Sequence, residues 1–503
     1  MKKSKFLTLS LGAALLLASA CTDLDEELFD QFEGSTFFTT EGEIAQGLAS
    51  VYRAQNEIAG SILGLQTLST DELFIPIRGG DWDDGGIPLA THQHTWTVEH
   101  PPANNTWVDL YRFVARSNSL IETIESLGDL NASQLDGLAQ AKTLRAYAYW
   151  QLLDLFQTPP LVTDAQIDPN NLPTNSTPEA LFSFVESELL EAIPNLAPSA
   201  DARGTIDQDA ARAVLTNLYL NAETYLGTPR WEDAIAQADA IINSGQFTLV
   251  TDGLPNNYSG DNETSTENIW VVPENVPGTG TQNSMNFARR TIHYNQGESM
   301  NTPGGGWNGW ATLASFYDRY EDVDARKAAW FLEGQQFDAD GVTPLENRQG
   351  RPLIFTREIS APRLTGDDIE TAGVRWNKYD PRTATPVGNE HAIDFVVFGL
   401  AEIMLAKAEA HIRLGQVGEA AALINPIRER AGVDPIPNPT LDDVYNERGR
   451  ELILGGKRRP DMIRHGRFTT ETWEFKEVTD PNRRFFFIPQ QQLDANPNLT
   501  QNQ

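Results

Sequence analysis

The chain has 503 residues, a formal net charge of −32 and 40% hydrophobic residues. This hydrophobic content excludes wholesale disorder and allows a sizeable core. The negative charge disfavours nucleic acids and anionic polysaccharides as partners, because both would be repelled at long range. Neutral ligands or cations are favoured instead.

The beginning of the chain predicts a lipoprotein signal peptide over residues 1–20. A basic start precedes an apolar run over residues 6–20. At about 15 residues this run is too short to cross a bilayer, which takes roughly 20, but it is typical of a signal peptide. Cys21, the single cysteine, follows directly and is predicted to be lipidated, although Ala18 stands where a larger aliphatic residue is usual. An ordinary signal peptide with an incidental cysteine is the alternative.

Residues 21–40 are predicted to form a lipidated tether. Because residues 1–20 carry three lysines and no acid, the mature chain would have a charge of about −35. The acidic cluster over residues 23–30 is either a solvated tether or a signal for export to the cell surface. It resembles the surface-export signal of Bacteroidetes lipoproteins.

Helical periodicity dominates both ends of the mature chain. It predicts helices over residues 43–58, 107–127, 134–156, 178–193, 207–226, 231–242, 394–414 and 417–431. Small residues stand where paired helices must approach, as in Ala222, Ala234, Ala238, Ala406, Ala408, Ala410, Ala420 and Ala421. The pairs resemble tetratricopeptide repeats, in which stacked helical pairs bury a shared core. A generic helical bundle is the alternative.

Two segments interrupt the helical pattern, residues 67–105 and 245–390. They are rich in Gly, Pro, Asn and aromatic residues, with one predicted strand over 268–272 and one predicted helix over 310–320. We therefore predict a mainly α single domain over residues 41–503. Its helical scaffold would comprise residues 41–244 and 391–503, and the two irregular segments would form the ligand-binding part, since long loops usually carry function.

Several tryptophans lie in these loops. Trp82 is the favoured binding residue, and for Trp310, whose ring is also expected to be partly exposed, binding and a structural plug are equally supported. Trp82 is flanked by acids and glycines that offer it no apolar neighbours in sequence, so its ring is expected to be partly exposed. A pyranose ring can stack its C–H face on such an indole. For Trp307, kept as a candidate, and for Trp376, the alternative of a structural plug is favoured.

Polar residues near these rings would bind sugar hydroxyls. The candidates are Arg78, Asp81, Asp83 and Tyr294. No metal site is expected, because no carboxylate or cysteine with ligand spacing completes the group of His92, His94 and His100. Nucleophile elbows, phosphate-binding loops and dinucleotide fingerprints are absent from the sequence, so no catalytic arrangement stands out.

Five segments together resemble the SusD/RagB family of outer-membrane nutrient-binding lipoproteins. They are residues 141–150 with 159–162, 400–410, 447–452 continuing to 459–464, 487–489 and 496–502. Gly449 departs from the pattern, since a charged residue is commoner there, and the usual ending is shortened to Gln503. From the residues themselves, the charged run that includes Arg448, Arg450, Glu451, Arg458, Arg459 and Asp461 predicts an ion-pair network that clamps helices.

The resemblance implies a tetratricopeptide-like scaffold with a loop-built glycan site and no cofactor. It also implies a lipid-anchored, surface-exposed protein of the cell outer membrane that delivers oligosaccharide to a SusC-like TonB-dependent transporter. Because of the negative charge, we expect a neutral glucan or fructan, with β-glucan preferred. A peptide-binding surface module of the RagB type is the alternative function, and a glycoside hydrolase is disfavoured.

Overall fold

The structure is a computed structural model that describes residues 40–200, 202–274, 286–387 and 390–502. Cys21 and the predicted signal peptide lie outside the described residues. Within these ranges the chain forms seventeen α-helices and ten short strands. None of the described helices is long and apolar enough to cross a membrane.

The helices and strands occur in the following order. The helices are α1 Glu41–Leu68, α2 Ile87–His92, α3 Pro101–Glu125, α4 Ala132–Phe156, α5 Pro178–Ala192, α6 Gln208–Leu220, α7 Ala222–Leu226, α8 Trp231–Asn243, α9 Phe287–Thr291, α10 Ala314–Tyr317, α11 Ala325–Trp330, α12 Asp368–Thr371, α13 Leu400–Arg413, α14 Val417–Arg430, α15 Leu441–Glu451, α16 Arg458–Arg464 and α17 Gln490–Ala495. The strands are β1 Ile77–Arg78, β2 Asn268–Val272, β3 Phe331–Leu332, β4 Gly334–Gln335, β5 Ile354–Phe355, β6 Arg363–Leu364, β7 Arg375–Trp376, β8 Pro386–Val387, β9 Glu390–His391 and β10 Phe395–Gly399.

Local sequence signals set where the long helices begin. Thr40 and Glu43 form a capping box at the start of α1, and Asn131 and Gln134 form one at the start of α4. Each box satisfies backbone N–H groups that a helix start leaves unpaired. The Thr177 side chain caps α5 by accepting a hydrogen bond from the Ala180 N–H, with Pro at the favoured first position.

The long helices stack as successive antiparallel-type pairs, which confirms the predicted tetratricopeptide-like scaffold. α1 packs on α3, α4 on α5, α6 on α8, and α13 on α14, while α3 also contacts α4 and α8 also contacts α13. The small residues predicted at the helix contacts are almost all fully buried: Ala222, Ala234, Ala238, Ala406, Ala408, Ala410 and Ala420. Small side chains allow this close approach. Helices α1, α3, α4, α5, α6 and α8 line the main core, and α13 and α14 enclose a smaller apolar cluster of their own.

Two of the predicted helices are wrong in part. Residues 310–320 form only the single turn α10, because Ala311 and Thr312 instead bridge to Phe74 and Val374. Residues 395–399 form β10, which pairs antiparallel with β2, so helix α13 begins only at Leu400. Valine and phenylalanine in this run favour a strand in such a paired, buried setting. The predicted strand over residues 268–272 is confirmed by β2.

A buried ion-pair network joins the loop-rich part to the C-terminal helices. Arg326, fully buried, donates to Asp324 and to both Glu447 and Glu451 at 2.7–2.9 Å. Glu451 also accepts a hydrogen bond from Arg430, whose other terminal nitrogen contacts Glu267 just before β2. The network therefore spans α11, α14, α15 and the approach to β2.

Further ion pairs clamp α16 to the scaffold, which confirms the predicted ion-pair network. Arg458 binds both oxygens of Asp71 at 2.7 Å, and Arg459 donates to Asp154 of α4 at 2.8 Å. Asp461 accepts a hydrogen bond from Arg448 of α15 at 2.8 Å. These bonds are charge-assisted, and they leave the buried charges paired.

We predict that Glu447→Gln lowers the free energy of unfolding by about 3–5 kcal/mol, because several buried arginines lose part of their counter-charge. Burial alone would raise the pKa of Glu447, but the Arg326 and Arg450 guanidiniums lower it well below its usual value. Its contribution is therefore fully present at neutral pH and is lost only as the pH falls below about 4. Urea unfolding at pH 7 measures the loss.

Glu429→Gln, at an exposed position of α14, is the matched control and should stay within about 0.5 kcal/mol of the parent. Equal stability of the Glu447→Gln variant and this control would contradict a stabilising role for the network.

Candidate functional site

The first loop of the site is a tight turn that presents Trp82. The backbone N–H groups of Arg78 and Asp81 donate to each other's carbonyl oxygens at 3.0 and 3.1 Å. Gly79 takes a φ of +68°, which glycine adopts without strain. Trp82 itself has a φ of +64°, a conformation that is uncommon for a large side chain. The turn therefore fixes the direction in which the indole leaves the backbone.

The second loop presents Trp307 and runs very close to the segment 289–294. A Cβ added to Gly305 would lie 2.2 Å from the carbonyl oxygen of Tyr294, and one added to Gly306 would lie 2.1 Å from that of Ile292. Only glycine permits this approach. The indole of Trp307 remains at the surface, with 41% of the residue exposed.

The two loops meet through their tryptophans. The Nε1–H of Trp82 donates to the carbonyl oxygen of Trp307 at 3.0 Å, and the two ring centroids lie 6.5 Å apart at an interplanar angle of 47°. Trp82 is half-buried and Trp307 is exposed. We call Trp82, Trp307, Tyr294 and Asp81 together the aromatic surface.

Polar contacts hold the rest of the aromatic surface in place. The Tyr294 hydroxyl donates to the Asp81 carboxylate at 3.0 Å, and burial together with this bond raises the pKa of Tyr294. The Arg348 guanidinium lies 4.0 Å from the centre of the Tyr294 ring, in a cation–π contact. Beside Trp82, Asp83 accepts a hydrogen bond from Arg363 at 2.8 Å. Carboxylate acceptors and guanidinium donors therefore stand beside the rings.

A buried carboxylate fixes Arg348. Glu370 accepts hydrogen bonds from the Arg348 backbone N–H and Nε–H at 2.9 and 2.8 Å. Burial alone would raise the pKa of Glu370, but these bonds and the contact with His293 lower it to about 2. Burial lowers the pKa of His293 to about 4. At neutral pH His293 is therefore uncharged, and since its Nδ1 accepts from Asn295, its Nε2–H donates to Glu370 at 2.9 Å.

The expected exposure of Trp310 is wrong. The residue is only 6% exposed, its ring stands edge-on to Trp376 at 5.9 Å, and the Arg290 guanidinium covers it at 4.7 Å. The chain turns inward here because Ala311 bridges to Phe74 in the core. Trp310 therefore cannot serve as an open stacking platform.

The expected role of Arg78 in binding hydroxyls is also wrong, because its side chain is almost fully buried. Its three nitrogens donate to the carbonyl oxygens of Gly309, Ile369 and Ala372 at 3.3, 3.0 and 2.9 Å. Burial lowers the pKa of Arg78 to about 9, which still leaves it charged at neutral pH. Arg78 thus fastens the backbone beneath the aromatic surface.

Trp82 also lines a cleft of about 300 Å³. Its walls come from α1, α2 and the start of α3, and Trp310 contributes to its lining although most of that ring is buried. Its volume falls at the lower end of the range of small-molecule sites. Trp82 thus belongs to the aromatic surface and also lines this cleft.

The histidines of the first irregular segment serve structural roles. His92 contacts the carbonyl oxygen of Glu474, His94 that of Ser69, and His100 the hydroxyl of Thr91. Among the described residues, no group of three or more His, Cys, Asp or Glu side chains could hold a metal ion.

Comparison with known proteins identifies the family to which the chain is similar. The profile described as "SusD family" matches residues 368–503, and the profile described as "Starch-binding associating with outer membrane" matches residues 25–220. The starch-binding protein SusD of Bacteroides thetaiotaomicron is 26% identical, over 100% of this chain and 99% of that protein. The chain belongs to the SusD/RagB family. The second profile and this relative are named for starch binding and not for catalysis, in agreement with the predicted non-catalytic chain.

Solved structures share the fold of this SusD/RagB-family chain. A protein titled "Laminarin binding SusD-like protein" superposes with a TM-score of 0.73 at 23% identity, over 92% of this chain and 98% of that one. The surface glycan-binding protein A of Bacteroides thetaiotaomicron, in complex with laminarihexaose, gives 0.72 at 19% identity, over 92% and 100%.

Sequence reasoning missed three contributors to the site of this SusD/RagB-family protein. Arg348, Arg363 and Glu370 lie 22 residues or fewer from one another but far in sequence from Trp82, and none stands beside an aromatic motif. Only the folded chain brings them to the loops.

We predict that Arg78→Met lowers the free energy of unfolding by about 2 kcal/mol or more, because it removes three buried hydrogen bonds, each worth about 0.5–1.5 kcal/mol, to the carbonyl oxygens of Gly309, Ile369 and Ala372. Thermal unfolding without any glycan measures the effect. Arg363→Met, which removes a half-exposed ion pair with Asp83, is the control and should cost less than about 1 kcal/mol. Similar losses in both variants would contradict the structural role of Arg78.

Proposed function

We propose that this protein captures a neutral glycan on its aromatic surface and passes it, chemically unchanged, to a SusC-like TonB-dependent transporter. The observation that carries the proposal is the pair of adjoining indoles, the exposed Trp307 and the half-buried Trp82, whose Nε1–H donates to the Trp307 carbonyl oxygen. Exposed tryptophans in a fixed arrangement are rare on surfaces that bind nothing.

The chemistry of the aromatic surface suits an uncharged sugar. The C–H face of a pyranose ring can pack on each indole. Because the two rings are inclined at 47°, a curved glycan chain would contact both more readily than a straight one. Asp81 and Asp83 can accept hydrogen bonds from hydroxyl groups, and Arg348 can donate them. The adjoining cleft beside Trp82 offers room for a further unit of the same chain.

The net charge and the names of related proteins support a neutral glycan as the ligand. The strongly negative chain disfavours sulfated or uronic polymers. A relative is named for starch, one solved neighbour is titled laminarin binding, and another holds laminarihexaose. These ligands are neutral glucans. We therefore propose a neutral glucan or fructan, with β-glucan preferred.

The proposed location is the outer face of the outer membrane, with the chain held by lipid on Cys21. The family profile that matches residues 25–220 is described as associating with the outer membrane. Lipidation of the cysteine would supply more than one acyl chain, which is enough for stable anchoring. An anchor of this kind would keep the aromatic surface close to the transporter.

We predict that Trp307→Ala and Trp82→Ala each weaken glycan binding by about two- to twelvefold, which corresponds to the loss of one aromatic contact. Isothermal titration with laminarin and with soluble starch measures the affinity. Leu190→Ala is the control, because Leu190 is an exposed apolar residue of α5, a helix that packs on α4 and α6 and contributes nothing to the aromatic surface.

Undiminished affinity in both tryptophan variants would remove this surface as the binding site. Binding of peptides but of no glycan by the unaltered protein would favour the RagB-type alternative over the proposal.

We predict that Cys21→Ala abolishes lipid attachment and moves the protein from the membrane to the soluble fraction. Metabolic labelling with an alkyne fatty acid, followed by fractionation of the cells, measures both effects. Ser19→Ala retains the cysteine and should remain labelled. A labelled, membrane-bound Cys21→Ala variant would contradict the anchor.

A further inference from the structure

Gly309 lies directly against the Trp82 indole. A Cβ added to Gly309 would stand 2.3 Å from both Cε2 and Cζ2 of that ring and 2.9 Å from Cδ2. These separations are far inside van der Waals contact, so a side chain at residue 309 and the present position of the ring exclude each other.

The backbone at Gly309 does not itself require glycine. Its φ lies outside the left-handed region, in contrast to Gly304 and Gly305 in the same loop. An alanine could therefore adopt the same backbone conformation. What residue 309 provides is space for the ring.

The backbone beneath the ring is held firmly. The carbonyl oxygen of Gly309 accepts a hydrogen bond from the buried Arg78 side chain. The Gly309 N–H donates to the carbonyl oxygen of Arg290 at 2.9 Å. The neighbouring Asn308 side chain accepts from the buried Arg375 at 3.0 Å. In a clash between this backbone and the indole, the indole is the part that moves.

Free space beside Trp82 can accept a displaced indole ring. Trp82 is only half-buried, and it lines the cleft of about 300 Å³. A displaced ring can turn into this space without opening the core. The movement would break the hydrogen bond from Trp82 Nε1–H to the Trp307 carbonyl oxygen and change the angle between the two rings.

We propose that Gly309 is a positioning residue that sets the place of the Trp82 indole on the aromatic surface. The inference rests on the proposed glycan function for its biological meaning, but the placement of the ring can be measured without any glycan. Gly309→Ala is expected to shift the indole while leaving the fold intact.

The first experiment uses the protein labelled with 5-fluorotryptophan and no glycan. Trp82→Phe assigns the ¹⁹F resonance of Trp82. In Gly309→Ala this resonance should move by more than its line width, whereas in Gly80→Ala it should stay, because no heavy atom lies within 4 Å of a Cβ at Gly80 in the same loop as Trp82. An unmoved Trp82 resonance in Gly309→Ala would overturn the inference.

The second experiment is a double-mutant cycle on laminarin affinity. Gly309→Ala should weaken binding about two- to twelvefold, as Trp82→Ala does, and the double variant should lose no more than Trp82→Ala alone, because both changes act through one ring. Fully additive losses would overturn the inference.

Two further outcomes are also decisive. If Gly309→Ala proves unstable, recovery of stability in the double variant, which lacks the ring, supports the clash, and failure to recover overturns it. If the unaltered protein binds neither laminarin, nor starch, nor a fructan, the proposed function fails, and the fluorine measurement still decides the role of Gly309.

Discussion

Pairing of buried charges is the constraint on which the rest of the structure depends. Glu447 and Glu451 on α15 receive guanidinium groups from α11 and α14, and all of these side chains are removed from water. Taking such ions out of water is expensive, and only complete pairing with good geometry offsets the cost. Since Arg326 belongs to the loop-rich part, that part has one permitted position relative to the helices. The loop-rich part also packs apolar residues such as Trp330 and Trp376 into the main core, and the ion pairs add a directional constraint to that contact.

Buried arginines also lie beneath the aromatic surface, where they donate to backbone carbonyl oxygens instead of carboxylates. Arg78 and Arg375 donate to carbonyl oxygens of residues 309 and 369–373, so irregular backbone is fixed by side chains rather than by helix or sheet. Loops held in this way can carry binding groups as precisely as regular elements do. The tryptophans then need few contacts of their own, which leaves their faces open.

The sequence predicted the scaffold well and the site only in part, for a physical reason. Helix periodicity and small residues such as Ala234 and Ala408 are local signals, and they predicted the stacked pairs. Local signals also drew attention to Trp82, whose neighbours are acids and glycines. They failed for Trp310 and Arg78, because burial there depends on strand bridges and carbonyl acceptors more than 200 residues away in the chain. Arg348 was missed because its contacts with Tyr294 and Glu370 also form only in the folded chain.

The buried arginines also determine how charge is distributed over the molecule. Most of the ion pairs in the interior balance acid against base, so they add little to the net charge. The large excess of acids shown by the sequence must then lie on the outside. Two copies of the protein that come within about 8 Å of each other at physiological salt would repel, and this mutual repulsion keeps neighbouring molecules apart however densely they are displayed.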